Sequence, residues 1–238
     1  MFDFLLDLDH SIFLFLNSHH SPFLDTFMYM FSGKWIWVPL YASLMLMIWK
    51  TFGTKRTVAI IFGVTMLIVL ADQTCATLIR PMVQRLRPSN LENPISAFVH
   101  IVNGHRGGAY GFPSCHAANT FALATFISLL ARTPRLTRLM FGWAILTAYS
   151  RIYLGVHFTG DLIVGGLIGS AYAVLIYYAL RYTVLRNADA DNRTALIFTY
   201  PAGGLSTVMR LETINFRYCD VVSTVGLCTV LYIMGAAF

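Results

Sequence analysis

The stretch Gly111–Thr120, GFPSCHAANT, places Pro113, Ser114, Cys115 and His116 directly before the apolar run FALATFISLLA. Ionisable groups are costly in a membrane-spanning helix, so a histidine at the start of one is expected to have a functional reason. The N-terminus of a helix presents free backbone N–H groups and the positive end of its dipole, which suits a phosphate. Ser114 is equally compatible with a simple N-cap.

The composition is that of an integral membrane protein. Of the 238 residues, 57% are hydrophobic and only 12% are charged, whereas soluble domains carry roughly 25% charged residues. A net charge of +6 would be compatible with nucleic-acid binding. The basic residues are scattered between apolar runs, however, so we interpret most of them as loop charges that set membrane orientation and expect no nucleic-acid partner.

The apolar runs predict an all-α bundle of six transmembrane helices, since each span needs about 20 residues. The N-terminal stretch MFDFLLDLDH repeats apolar residues at helical spacing, which predicts an amphipathic helix on the membrane surface. The least apolar later region, Arg186–Arg217, is predicted to be a loop. The six predicted spans are Trp35–Trp49 (starting as early as Thr26), Thr57–Ile79, Ser114–Ala131, Leu139–Leu154, Asp161–Tyr182 and Val221–Phe238.

Six spans divide the 17 Lys and Arg residues unequally between the two sides of the membrane. Eleven fall on the side of the loops that follow the first, third and fifth spans, and this side is predicted to be cytoplasmic by the positive-inside rule. The remaining residues are predicted to face outward and are Lys34, Arg80, Arg85, Arg87, Arg106 and Arg151.

Two arginines follow the second predicted span in the stretch RPMVQRLRP. Arg80 and Arg87 are seven residues apart, so on a continuous helix they would share a face, and Pro88 would end that helix. They are also compatible with ordinary flanking arginines. The glycine-rich stretch NGHRGGAYGFPSCH comes next, and glycines allow the backbone to approach a ligand closely.

The stretch YSRIYLGVHFTGD places an arginine, a histidine and an aspartate at the junction of the fourth and fifth spans. His157 and Asp161 are four residues apart and face the same way on one helical turn. A carboxylate beside an imidazole fixes its tautomer, although such a pair is also common as a purely structural feature. With Arg151, these residues lie on the same predicted outer face as Arg80, Arg87 and His116. Three arginines around two histidines are typical of a phosphate site.

The order R-x6-RP, then PSCH, then SR-x5-H-x3-D resembles the type 2 phosphatidic acid phosphatase family, whose pattern is K-x6-RP, PSGH and SR-x5-H-x3-D. The resemblance covers Arg80 to Asp161 and the six-span layout, whereas the N-terminal and C-terminal segments lie outside it. We expect a single membrane-embedded domain over residues 1–238, with its catalytic region at 80–161. This sequence has Arg80 where the family has lysine and Cys115 where it has glycine.

The resemblance implies a lipid phosphatase that needs no metal or other cofactor. His157 resembles the nucleophile, Asp161 its orienting partner and His116 the general acid for the leaving group. The phosphate-binding residues that it implies are Arg80, Arg87, Ser114, Cys115 and Arg151. In its small size and in the outward position of its predicted site, this protein resembles bacterial inner-membrane members of the family that act on undecaprenyl diphosphate or lipid A phosphates. Phosphatidylglycerophosphate and phosphatidic acid remain alternatives, as does transfer of the phosphate to an alcohol.

Overall fold

The computed structural model describes residues 2–185 and 216–238, and this part of the chain is helical without β-strands. The predicted loop Arg186–Arg217 lies outside the described residues except for its last two, which belong to the C-terminal helix. The α-helices are α1 (Phe2–Asn17), α2 (Pro22–Ser32), α3 (Val38–Gln73), α4 (Arg80–Val83), α5 (Cys115–Ala131), α6 (Pro134–Tyr153), α7 (Thr159–Thr183) and α8 (Phe216–Ala237).

Helix α3 contains the first two predicted spans, separated by a break at Gly53. This glycine has φ 71° and ψ 171°, which are not helical angles and which lie where glycine is favoured over other residues. Trp37 and Asp72 line the same groove, although a straight helix would hold them about 50 Å apart. The chain therefore folds back at Gly53, beside Lys55 and Arg56.

The second half of α3 continues through a π-helical turn, Thr74–Ile79, into the short helix α4. The π turn ends two residues before Pro81, whose missing N–H interrupts the helical hydrogen-bonding pattern. Helix α4 ends at Val83, because Gln84 adopts a left-handed conformation with φ 51°. The prediction that a helix continues to Arg87 is therefore wrong.

Helices α5 and α7 form the most extensive contact between elements of the structure. Gly165 and Gly169 of α7 face the backbone of α5. A Cβ atom at Gly165 would lie 2.4 Å from the Ser114 carbonyl oxygen, and one at Gly169 would lie 1.9 Å from that of Ala118. Small residues at such spacing allow two membrane helices to approach closely. Their effect here is to hold the start of α5 against the start of α7.

Three described helical segments are long and apolar enough to cross a membrane: Trp35–Val83, Thr159–Thr183 and Tyr218–Ala237. Cys115–Ala131 is apolar but shorter. The protein is therefore a multi-pass membrane protein, while the count of six spans stays a prediction. Helix α1 exposes an apolar stripe that includes Phe4, Leu8 and Phe15, and its placement on a membrane surface also stays a prediction.

Candidate active site

His157 and Asp161 form a buried pair at the junction of α6 and α7. The Asp161 carboxylate accepts a hydrogen bond from His157 Nδ1 at 3.2 Å and another from the backbone N–H of Phe158 at 3.1 Å. Both side chains are at most 3% exposed. Because Nδ1 donates to the carboxylate, the lone pair of the imidazole lies on Nε2.

The pKa of His157 is well below its usual value. Burial is the largest cause, and the nearby positive charges of Arg87, Arg151 and Arg80 add to it. His157 is therefore neutral at physiological pH, with its lone pair on Nε2.

The glycine-rich segment that precedes α5 packs directly against His157 and Asp161. A Cβ atom at Gly111 would lie 3.0 Å from an oxygen of Asp161 and 3.4 Å from Nδ1 of His157. Gly107, with φ 73°, lies against the guanidinium of Arg87 in the same way. The glycines thus allow the backbone to approach the site residues themselves.

Arg87 contacts the free nitrogen of His157. Its Nη1 lies 3.0 Å from Nε2 and donates to the carbonyl oxygen of Val156 at 2.9 Å. The extended backbone around Arg87 pairs with the glycine-rich segment, since Arg87 N–H donates to the Ala109 carbonyl at 3.0 Å. A phosphate bound by Arg87 would consequently lie next to His157 Nε2.

Arg80 and Arg151 complete a set of three arginines that have no carboxylate partner among the described residues. Arg80 Nη2 donates to the Pro113 carbonyl at 3.0 Å, and Arg151 Nη1 donates to the Ser32 hydroxyl. In Arg80, Arg87 and Arg151 alike, Nε is buried and makes no hydrogen bond within the described part of the chain. Buried donors of this kind ordinarily have a partner, so the three arginines are suited to an anion.

The start of α5 supplies the remaining predicted residues. Ser114 is buried and caps the helix, accepting from the Ala117 N–H at 3.5 Å, while its own N–H donates to the Asp161 carbonyl oxygen. The Cys115 thiol lies 3.0 Å from Arg80 Nη2. His116 is exposed on a groove, and Ser32, which accepts from Arg151, lines the same groove. All eight predicted site residues therefore lie in one region.

The groove next to His116 runs between the two halves of α3 and the helices α5 and α6. It has a volume of about 550 Å³ and is lined mainly by apolar side chains. His116 and Asp72 lie at one end, and Ile60 and Ile127 at the other. Ile127 follows His116 by eleven positions, which corresponds to about 16 Å along a helix. The groove therefore extends from the polar site well into the apolar body of the protein.

Arg85 and Asp9 are two residues next to the site that the sequence motifs do not identify. Arg85 lies between Asp161 and Asp9, at 3.0 Å and 2.8 Å respectively. In the sequence, nothing separates Arg85 from the other basic residues, and only its partners in the structure identify it. Asp9 lies in the N-terminal helix, 76 positions earlier in the chain. No local pattern connects the two residues.

Comparison with known proteins places this geometry in a family. The PAP2 superfamily matches residues 58–184. A lipid A 4'-phosphatase of Bacteroides thetaiotaomicron is 48% identical over 178 residues, covering 75% of this chain and 79% of that protein. A lipid A 4'-phosphatase of Porphyromonas gingivalis is 34% identical, covering 76% of each chain.

The fold is also found among solved structures. A PAP2-type phosphatidylglycerolphosphate phosphatase from Bacillus subtilis superposes with a TM-score of 0.56 at 19% identity, over 75% of this chain and 87% of that one. At this identity the likeness concerns the fold alone. With the superfamily match over more than half of the sequence and the 48% identical relative, the chain belongs to the PAP2 superfamily and is a membrane lipid phosphatase.

Proposed function

We propose that this protein removes a phosphate from a lipid A-type glycolipid through a phosphohistidine intermediate, at the outer face of the bacterial inner membrane. The observation that carries the proposal is a set of three arginines around a neutral histidine. Within the described part of the chain these arginines have no carboxylate partner, and each has a buried Nε without a hydrogen bond. The 48% and 34% identical lipid A 4'-phosphatases support the choice of lipid.

His157 is the nucleophile in this mechanism. Its Nε2 attacks phosphorus and displaces the lipid oxygen, while the Asp161 carboxylate holds Nδ1–H and stabilises the positive charge that develops on the ring. Arg80, Arg87 and Arg151 bind the phosphoryl oxygens and stabilise the charge of the transition state.

His116 handles the protons of both steps. A phosphate dianion beside His116 stabilises the imidazolium form, which donates a proton to the departing lipid oxygen. The neutral His116 then accepts a proton from the water that attacks the phosphohistidine, so that phosphate is released and both histidines return to their starting state. The free N–H groups at the start of α5 contribute further donors to the phosphate.

The apolar groove next to His116 suits the hydrophobic part of a lipid substrate. A phosphate at the arginines and an alkyl chain along the groove would place the scissile bond at the polar end, beside His116. Because the chain would move into the groove from bilayer hydrocarbon and not from water, the groove would position the lipid with little net hydrophobic gain.

Phosphate release by purified protein across a lipid panel tests the function. The panel contains lipid A carrying 1- and 4'-phosphates, undecaprenyl diphosphate, phosphatidylglycerophosphate and phosphatidic acid, and the lipid products are identified by mass spectrometry. We expect the highest kcat/KM for lipid A. A higher kcat/KM for undecaprenyl diphosphate would contradict the choice of lipid, and transfer of the phosphate to another lipid without free phosphate would contradict hydrolysis.

Cysteine labelling in spheroplasts tests the outward orientation of the site. Glu92 is exposed in the segment that leads to α5, and Thr54 is exposed next to the break at Gly53, between the two halves of α3. In a background without the native cysteines, Glu92→Cys should react with a membrane-impermeant maleimide in intact spheroplasts, and Thr54→Cys only after lysis. The opposite pattern would place the site at the cytoplasmic face.

A further inference from the structure

We infer that Asp9 and Arg85 form a positioning relay that orients the side chains of Asp161 and His157. The N-terminal helix α1 therefore contributes to catalysis. The relay runs from Asp9 through Arg85 and Asp161 to His157. The inference rests on the proposed function, because it takes His157 as the nucleophile. Helix α1 lies outside residues 58–184, the part that matches the superfamily.

Arg85 binds two carboxylates at once. Its Nη1 donates to Asp161 Oδ1 at 3.0 Å, while the other oxygen of Asp161 accepts from His157 and from the Phe158 N–H. Its Nη2 forms an ion pair with Asp9 Oδ2 at 2.8 Å, although the angle is not that of a hydrogen bond. Asp161 is buried, and a buried carboxylate needs a paired positive charge and hydrogen bonds to remain ionised at little cost.

Asp9 also contacts the chain on which His157 and Asp161 are held. Its Oδ1 accepts from the backbone N–H of Gly160 at 2.9 Å. One carboxylate of α1 therefore forms an ion pair with Arg85 and accepts a hydrogen bond from the first turn of α7. Asp9 is only 14% exposed, so little water competes for these bonds.

Aromatic contacts hold α1 in this position. The rings of Phe13 and Phe158 lie 5.2 Å apart, and those of His10 and Phe158 lie 4.9 Å apart. The Arg85 guanidinium lies over the same Phe158 ring, 4.0 Å from its centroid. Phe158 directly follows the nucleophile, so α1 and Arg85 pack on the backbone that sets the direction of the imidazole.

Arg85 differs from the three arginines assigned to phosphate. Its charge is balanced by Asp9 and Asp161, whereas Arg80, Arg87 and Arg151 have no carboxylate partner among the described residues. A bound phosphate would have to displace a carboxylate to reach Arg85. The physical role left to Arg85 is to keep Asp161 ionised and oriented so that Nδ1 donates and Nε2 attacks.

Steady-state kinetics on Asp9→Asn, Arg85→Gln and Arg85→Lys test the relay, with the lipid that wild type hydrolyses fastest in the panel above. Each kcat is divided by the folded fraction found by size-exclusion chromatography. At metal sites, removing a group that orients a ligand typically costs about 10- to 100-fold, and we take the same scale for a group that orients a nucleophile. We therefore expect Arg85→Gln to lower kcat by about 10- to 100-fold and Asp9→Asn by about tenfold, with KM changed less than roughly threefold.

Two further variants separate positioning from general stability. Arg85→Lys keeps the charge and should recover part of the lost kcat, which a purely structural loss would not predict. The double variant Asp9→Asn/Arg85→Gln should lose little more than Arg85→Gln alone, because the two residues act through one carboxylate. Asp7→Asn is the matched control, since Asp7 is exposed on the same helix, and it should keep the wild-type kcat.

Several results would overturn the relay. Wild-type kcat in folded Asp9→Asn would do so, and this milder variant decides the question if Arg85→Gln does not fold. A raised KM with unchanged kcat in Arg85→Gln would assign Arg85 to substrate binding. His157→Ala is measured in parallel, because if it kept its activity the proposed mechanism itself would fail, whereas loss in His157→Ala with none in Asp9→Asn would reject the relay alone.

Discussion

Replacing His157 with alanine should lower phosphate release by at least about 10⁴-fold, because the variant has no nucleophile to form the covalent intermediate. Lipid binding should persist, since Arg80, Arg87 and Arg151 remain and the groove is unchanged. Stopped assays with purified protein give the rate, and equilibrium binding of inorganic phosphate to the variant reports whether the arginine site still binds an anion.

His105→Ala is the matched control for this loss. His105 is an exposed histidine in the segment that leads to α5, and it caps a short 3₁₀ turn, Val102–Gly104. It should keep wild-type turnover. If His157→Ala retained more than about a hundredth of wild-type activity, a general acid or base alone would account for its contribution, and the covalent mechanism would be contradicted.

Gly169→Ala should destabilise the protein severely, although it adds a single methyl group. The new Cβ atom would lie 1.9 Å from the Ala118 carbonyl oxygen, and because that atom belongs to backbone, α5 and α7 must move apart. Overpacking of a close contact costs 1–3 kcal/mol or more. We expect a loss of about 3 kcal/mol, or roughly 10 °C in the thermal midpoint, with loss of activity as Ser114 moves away from Asp161.

Gly142→Ala is the control for the glycine substitution. Gly142 lies in α6, is exposed, and a Cβ atom there would have no neighbour within 4 Å. Since alanine is favoured over glycine inside a helix by roughly 0.5–1 kcal/mol, the thermal midpoint should stay or rise. Equal stability of Gly169→Ala and wild type in detergent would contradict the close approach of α5 and α7.

The sequence predicts most of the helices because apolar length is a strong signal. The predicted third span, Ser114–Ala131, matches α5 to one residue at its start, where Ser114 caps the helix. Helix α6 begins five residues before the predicted Leu139, because Pro134 is favourable in the first turn of a helix and extends it into the polar loop. The family assignment from the three ordered motifs is confirmed.

The contacts around Arg85 could not be predicted from the sequence. Asp9 and Arg85 are brought together by the packing of Phe13 on Phe158, a tertiary contact without a local signature. The predicted helix through Arg80 and Arg87 fails for a similar reason. The backbone from Arg85 to Arg87 pairs with the glycine-rich segment, so that Gly111 N–H donates to the Arg85 carbonyl at 2.9 Å, and this pairing overrides helical spacing.

Trapping the phosphoenzyme tests the covalent mechanism most directly. Purified protein is mixed with ³²P-labelled lipid substrate, quenched in alkali within one turnover, digested and mapped by mass spectrometry. The mechanism predicts one label on His157, stable to base and labile to acid, which is absent in His157→Ala and present in His105→Ala. A label on Cys115, or phosphate release in a single turnover without any labelled protein, would contradict it.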